Sequence, residues 1–188
     1  NSQRSEILSS ESLQGQIQCG RLEWEGDGME VKFVLDKNGP YKILAHPKPE
    51  LKGLDIGGID SYDQDHSSTT SLGSAIIFRR FYNMEIAGNY PIAEYTERPE
   101  TAEEFWDGCL KLAVYYNAKM LIEYTRIGVI GYFQRAGGKQ YLKERPTTAH
   151  SPKTVNRNRY GLQMNKHTKA VMEQFIEESK LMALTNMK

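Results

Sequence analysis

The stretch from Thr101 to Asn117 constrains the fold more than any other, because it sets a helix between two strand-like runs. Thr101-Ala102-Glu103-Glu104 has the form of a capping box, in which the Thr hydroxyl and the Glu104 side chain satisfy free amides at a helix start. Phe105, Cys109, Leu112, Ala113 and Tyr116 then recur at helical spacing, and Asn117 closes the helix. Before this helix, residues 91–96 alternate in polarity. After it, residues 118–123 are nearly continuous in apolar side chains, the pattern of a strand covered on both faces. Strand, helix, strand in that order predicts a crossover to a parallel neighbour.

Two further strand-like runs precede this unit. Residues 51–60 end on Asp60, and residues 71–82 centre on Ala75-Ile76-Ile77-Phe78. A polar loop over 62–70 separates them, so three successive strands predict an antiparallel meander. Downstream, a helix over 126–136 is ended by Gly137-Gly138. A short fifth strand over 141–144, a basic loop over 145–165 and a final helix over 166–184 complete the expected order.

The N-terminal part reads differently. Residues 1–18 are polar and without period, as in a flexible arm or linker. Alternating residues flank the turn Gly26-Asp27-Gly28, which predicts a hairpin. A third short strand follows over 41–44. His46-Pro47-Lys48-Pro49 is an extended connector, since a residue before proline is pushed out of the helical region. Residues 19–50 are therefore expected to form a small β appendage on a main domain over 51–188. Trp24 is expected to pack that appendage, and Trp106 to be half-exposed on its helix.

The 188 residues suffice for one domain and a small addition. No apolar run approaches the ~20 residues that span a bilayer, and the first residues lack a signal-peptide pattern. Position 1 is not Met, which suggests a fragment of a longer protein. Cys19 and Cys109 show no metal-type spacing and read as free thiols in a reducing compartment.

The zero net charge hides a segregation. Residues 85–107 hold seven acids and one base, Arg98, whereas residues 135–169 hold nine Lys or Arg and one acid, Glu144. A segment with eight net positive charges suits a polyanion, and Tyr141, Tyr160, His150 and His167 within it can stack on bases.

Two acids stand where strand patterns run out, Asp60 and Glu123. An unpaired carboxylate costs several kcal/mol to desolvate, and two of them can share a divalent cation instead. The order of strands and helices matches the ribonuclease H-like topology, an α/β mixed sheet flanked by helices. There the first and fourth strands are neighbours, which brings residues 60 and 123 together. Hard oxygen ligands of this kind suit a two-metal site with Mg²⁺ or Mn²⁺ about 4 Å apart around a phosphate.

Several stretches resemble the nuclease domain of tailed-phage large terminases, the DNA-packaging motors, most closely those of phages and prophages of Bacteroides-type gut bacteria. They are Gly58-Ile59-Asp60-Ser61-Tyr62-Asp63-Gln64-Asp65, Ser67-Ser68-Thr69-Thr70-Ser71-Leu72-Gly73-Ser74, Ile92-Ala93-Glu94-Tyr95-Thr96-Glu97-Arg98-Pro99, Tyr115-Tyr116-Asn117-Ala118-Lys119 and Ile122-Glu123-Tyr124. The resemblance covers most of residues 21–185. It implies Asp60 and Glu123 as catalytic metal ligands, and Asp65 is a candidate auxiliary ligand. It also implies an ATPase domain, a small terminase subunit and a portal as partners, and a bacterial host cytoplasm as location. No Gly-rich phosphate loop is present, so ATP hydrolysis is not expected of this chain. The family's third acid follows its last helix and has no equivalent before Lys188. Glu173, Glu177 and Glu178 have the spacing of a solvated helix face.

The expected activity is metal-dependent cleavage of concatemeric double-stranded DNA. Lys139, Lys143, Arg145, Lys153, Arg157, Arg159 and Lys166 would hold the backbone. Two alternatives remain open: a transposase or resolvase core with the same acids, and a non-catalytic DNA-binding module of the packaging motor.

Overall fold

The computed structural model describes residues 17–62, 72–80, 83, 86, 88–124, 126–145 and 159–164. Its strands are β1 (Gln18–Glu25), β2 (Glu30–Leu35), β3 (Tyr41–Ile43), β4 (Asp55–Asp60), β5 (Gly73–Arg79), β6 (Tyr90–Glu97), β7 (Lys119–Tyr124) and β8 (Leu162–Gln163). Two helices, α1 (Ala102–Tyr116) and α2 (Gly128–Arg135), and a 3-10 turn at Lys139–Tyr141 complete the order. All eight strands lie in one mixed sheet, in the order β2-β1-β3-β6-β5-β4-β7-β8.

The expected meander is present: β4 pairs antiparallel with β5, and β5 with β6. Helix α1 then carries the chain over the sheet to β7, which runs parallel to β4. Its start is the predicted capping box. The Glu104 amide donates to Thr101 Oγ1 at 3.2 Å, and the Thr101 amide donates to Glu104 Oε2 at 3.1 Å. Asn117 ends it in the left-handed region, φ 47°, where its N–H reaches the last free carbonyls.

Helix α1 supplies the centre of the core. Phe105, Cys109, Leu110, Leu112 and Ala113 are fully buried against Ala75, Ile77, Ala93, Met120 and Ile122 of the sheet and Phe133 of α2. Trp106, expected half-exposed, is also buried, because its indole turns inward and donates to Ser61 Oγ at 2.9 Å. Both cysteines are free thiols.

Three further findings differ from the sequence pattern. The segment expected as an appendage joins the main sheet, because β3 pairs antiparallel with β6. Tyr41 stacks on Tyr95 and donates its hydroxyl to Gly108 O, while Trp24 Nε1 donates to Asp107 Oδ1. The predicted strand at 141–144 is reduced to bridges: Tyr141 ends the 3-10 turn, Leu142 bridges Met120, and Glu144 bridges Tyr160. The strand beside the end of β7 is instead β8, inside the stretch read as basic loop. Finally, β7 buries one face only. Met120, Ile122 and Tyr124 point to the core, and Lys119, Leu121 and Glu123 alternate to the other side.

One buried charge pair is structural. Arg79 and Asp55 face each other across β4 and β5 and form two hydrogen bonds, Nε to Oδ1 at 2.9 Å and Nη2 to Oδ2 at 3.0 Å. Arg79 Nη2 also donates to His46 O. Among the described residues, no helix is long and apolar enough to cross a membrane.

Candidate functional site

The period-2 alternation of β4 decides where Asp60 points. Asp55 and Ile59 are buried on the helix-covered face, so Ile56, Gly58 and Asp60 take the opposite one. The same rule places Lys119, Leu121 and Glu123 of β7 on that opposite face. The parallel register pairs Asp60 with Glu123 directly, as it does Gly58 with Leu121. Neighbouring strands lie about 4.8 Å apart, so two carboxylates sixty-three residues apart in sequence emerge side by side. Asp60 is exposed and Glu123 half-exposed.

Strand ends position this pair. Asp60 is the last residue of β4, and Ser61 behind it is held by the Trp106 indole. Tyr62 follows, with its ring against Phe105 at 5.2 Å between centroids and the Arg98 guanidinium 4.7 Å above it. Helix α1 therefore fixes the exit of β4 through two aromatic side chains. The floor beside the acids is open: a Cβ built on Gly58 would meet nothing nearer than Leu121 O at 3.9 Å. A side chain on Gly57, by contrast, would meet the Met120 sulfur at 2.4 Å, since that residue faces the core.

The row continues across the sheet. Ser74 is the register partner of Asp60, and Thr96 that of Ser74; their hydroxyls lie 2.9 Å apart. Glu123, Asp60, Ser74 and Thr96 thus form a line of oxygen-bearing side chains over four strands. Periodicity singled out the acids alone; the hydroxyls had no signal beyond their own strand alternation, which becomes informative only once the register is known.

Glu94 is a further acid on this face and is buried, with Oε2 lacking a hydrogen-bond partner among the described residues. Its register partners are Ile76 and Lys42, which puts it two strands from Asp60 and two residues lower, roughly 12 Å away by strand geometry. Among the described residues, no group of three or more His, Cys, Asp or Glu is close enough to hold a metal together. The pair still fits Mg²⁺ or Mn²⁺ as a donor set. Mg²⁺ is commonly bound by one or two carboxylates, with waters and substrate phosphates completing the shell. Asp65, and the glutamates Glu173, Glu177 and Glu178, lie outside the described residues.

The basic segment divides in the same way. Lys139 and Lys143 are exposed, and Arg145 is half-exposed. Arg159 is engaged with Glu144 in an exposed ion pair. Lys153, Arg157 and Lys166 lie outside the described residues. Several of the acids over 85–107 have local work: Glu103 pairs with Arg135, and Asp107 accepts from Trp24, Tyr132 and Lys111. No protein-family model matches the chain, and no curated protein matches it.

Proposed function

We propose that the chain is a ribonuclease H-like nuclease domain that hydrolyses phosphodiester bonds of double-stranded DNA with the help of Mg²⁺ or Mn²⁺. The observation that carries this reading is the direct register of Asp60 with Glu123 on one face of adjacent parallel strands. The order β6-β5-β4-β7-β8, with an antiparallel meander feeding a parallel crossover, supports the superfold. The resemblance to terminase nuclease domains supports cleavage of concatemeric phage DNA during packaging in the bacterial cytoplasm. An ATPase domain, a small terminase subunit and a portal would then be its partners.

In this reading, Asp60 and Glu123 would hold the cations, and the open Gly58 floor would admit the phosphate. Trp106 and Tyr62 keep the Asp60 backbone from shifting. Divalent ions bound there lower the pKa of an attacking water and stabilise the leaving oxygen. Such stabilisation is worth several kcal/mol, hence about a thousandfold or more in rate.

Plasmid nicking tests the proposal. Wild-type protein is expected to relax supercoiled plasmid with Mg²⁺ or Mn²⁺ and not with EDTA. Asp60→Ala and Glu123→Ala should each reduce that rate by about a thousandfold. Undiminished nicking by Asp60→Ala removes the site from consideration. Salt-sensitive binding with no cleavage under any divalent ion would instead identify a DNA-binding module.

A further inference from the structure

We infer that a pocket at the N-terminal end of β7 is a phosphate subsite, which grips the nucleic-acid backbone away from the acid pair. This rests on the nuclease reading for the position of the reacting phosphate. The pocket is a depression open to solvent, with a volume of about 370 Å³, lined by Lys119, Lys139, Gln140, Leu142, Glu144 and Tyr160.

Three observations carry it. The first is placement. Lys119 and Glu123 alternate onto the same face of β7, four residues apart, so they are about 13 Å from each other along the strand. DNA advances 3.4 Å per nucleotide of one strand, so the two ends of β7 span about four nucleotides of axial rise.

The second is charge. Lys119 and Lys139 are exposed and have no salt-bridge partner among the described residues. The one acid lining the pocket, Glu144, is already paired with Arg159. Its carboxyl sits below the usual range, chiefly through that hydrogen bond, and the charges of Lys119 and Lys143 lower it further. The pocket therefore presents two lysines, Lys119 and Lys139, and its one acid is engaged by Arg159.

The third is rigidity. The loop carrying Lys139 and Gln140 is a 3-10 turn closed by the Tyr141 amide donating to Gly138 O. Leu142 is buried and its bridge to Met120 locks the turn to β7. Tyr160 is held opposite Glu144, and the Gly161 amide donates to Lys143 O. The lysines thus project from ordered backbone, and Tyr160 adds an aromatic wall.

Binding of a short labelled duplex in EDTA, followed by fluorescence anisotropy over a range of NaCl concentrations, tests the subsite without any need for cleavage. Lys119→Ala/Lys139→Ala should bind about tenfold more weakly, and the slope of log affinity against log salt should fall by nearly 2, about 0.9 per lost phosphate contact. Lys119→Arg/Lys139→Arg should restore both. Lys32→Ala/Lys37→Ala, at the far edge of the sheet, should change neither. Unchanged affinity and slope in the Lys119/Lys139 double variant overturn the proposal. So does a variant that loses binding of a free deoxynucleoside monophosphate while its duplex titration is unaltered, because the pocket would then serve a small molecule. Nicking by Asp60→Ala reports on the nuclease reading alone, so failure of one result is separable from failure of the other.

Discussion

At the scale of single residues, charge placement separates structural from functional groups. Asp55 and Asp60 lie on one six-residue strand, yet the first is buried and the second exposed. Asp55 is buried and answered by both nitrogens of a fork-shaped Arg79 contact. Breaking a buried pair leaves the surviving charge uncompensated, so Arg79→Met should cost about 3–5 kcal/mol in urea unfolding. The double variant Asp55→Leu/Arg79→Met should recover most of it; a double variant as unstable as the single one would contradict this account. His46 shows the same logic with a neutral ring. Its Nε2 lies 3.0 Å from Gln18 Oε1 and its Nδ1 2.8 Å from the Tyr115 hydroxyl, with Phe33 packed edge-on. Partial desolvation lowers its pKa from 6.5. The folded state therefore takes up its proton at lower pH than the unfolded chain does. The contribution is complete above about pH 6.5 and is lost as pH falls through the lower folded value. Thermal midpoints at pH 7.5 and pH 5 should drop further in wild type than in His46→Gln; equal drops would exclude His46 as the source.

At the scale of elements, termini were the most legible part of the sequence. The Thr101 box and the Asn117 stop both act within a few residues of themselves, so local pattern suffices to find them. Thr101→Ala should lower stability by about 1 kcal/mol, measured as a shift in the urea midpoint at constant slope. The hairpin turn and the meander were equally readable, because strand alternation and turn residues are short-range signals. The fifth strand was not. Residues 141–144 have a strand-like composition, but the 3-10 turn before them and the Glu144–Tyr160 bridge after them leave Leu142 a single ladder position. The parallel pairing of Glu123 goes to Leu162, thirty-nine residues further along the chain. The apolar run of β7 likewise suggested two covered faces, whereas its exposed and half-buried alternate positions carry Lys119 and Glu123.

At the scale of the whole molecule, the eight strands behave as one layer, and the N-terminal hairpin is bound to it by β3. Tyr41 and Ile43 are buried in the same core cluster as Phe105 and Met120. A chain of residues 51–188 would expose the edge of β6 and open the face under Tyr95. Its thermal midpoint is expected to be lower than that of the full chain, with a greater tendency to aggregate; an equal midpoint would mean that the hairpin adds nothing to the core. Sequence by itself determined the alternation that turns each side chain up or down, the capped helix, the crossover to a parallel strand, and the identity of two acids at strand ends. These follow from interactions over a few residues. Only the tertiary structure decided that Asp60 and Glu123 share a register, that Ser74 and Thr96 extend their row, and that Lys119 and Lys139 line one pocket. Each is a contact between strands or loops distant in sequence. A one-residue slip in the pairing of a strand would send all of that strand's side chains to the opposite face.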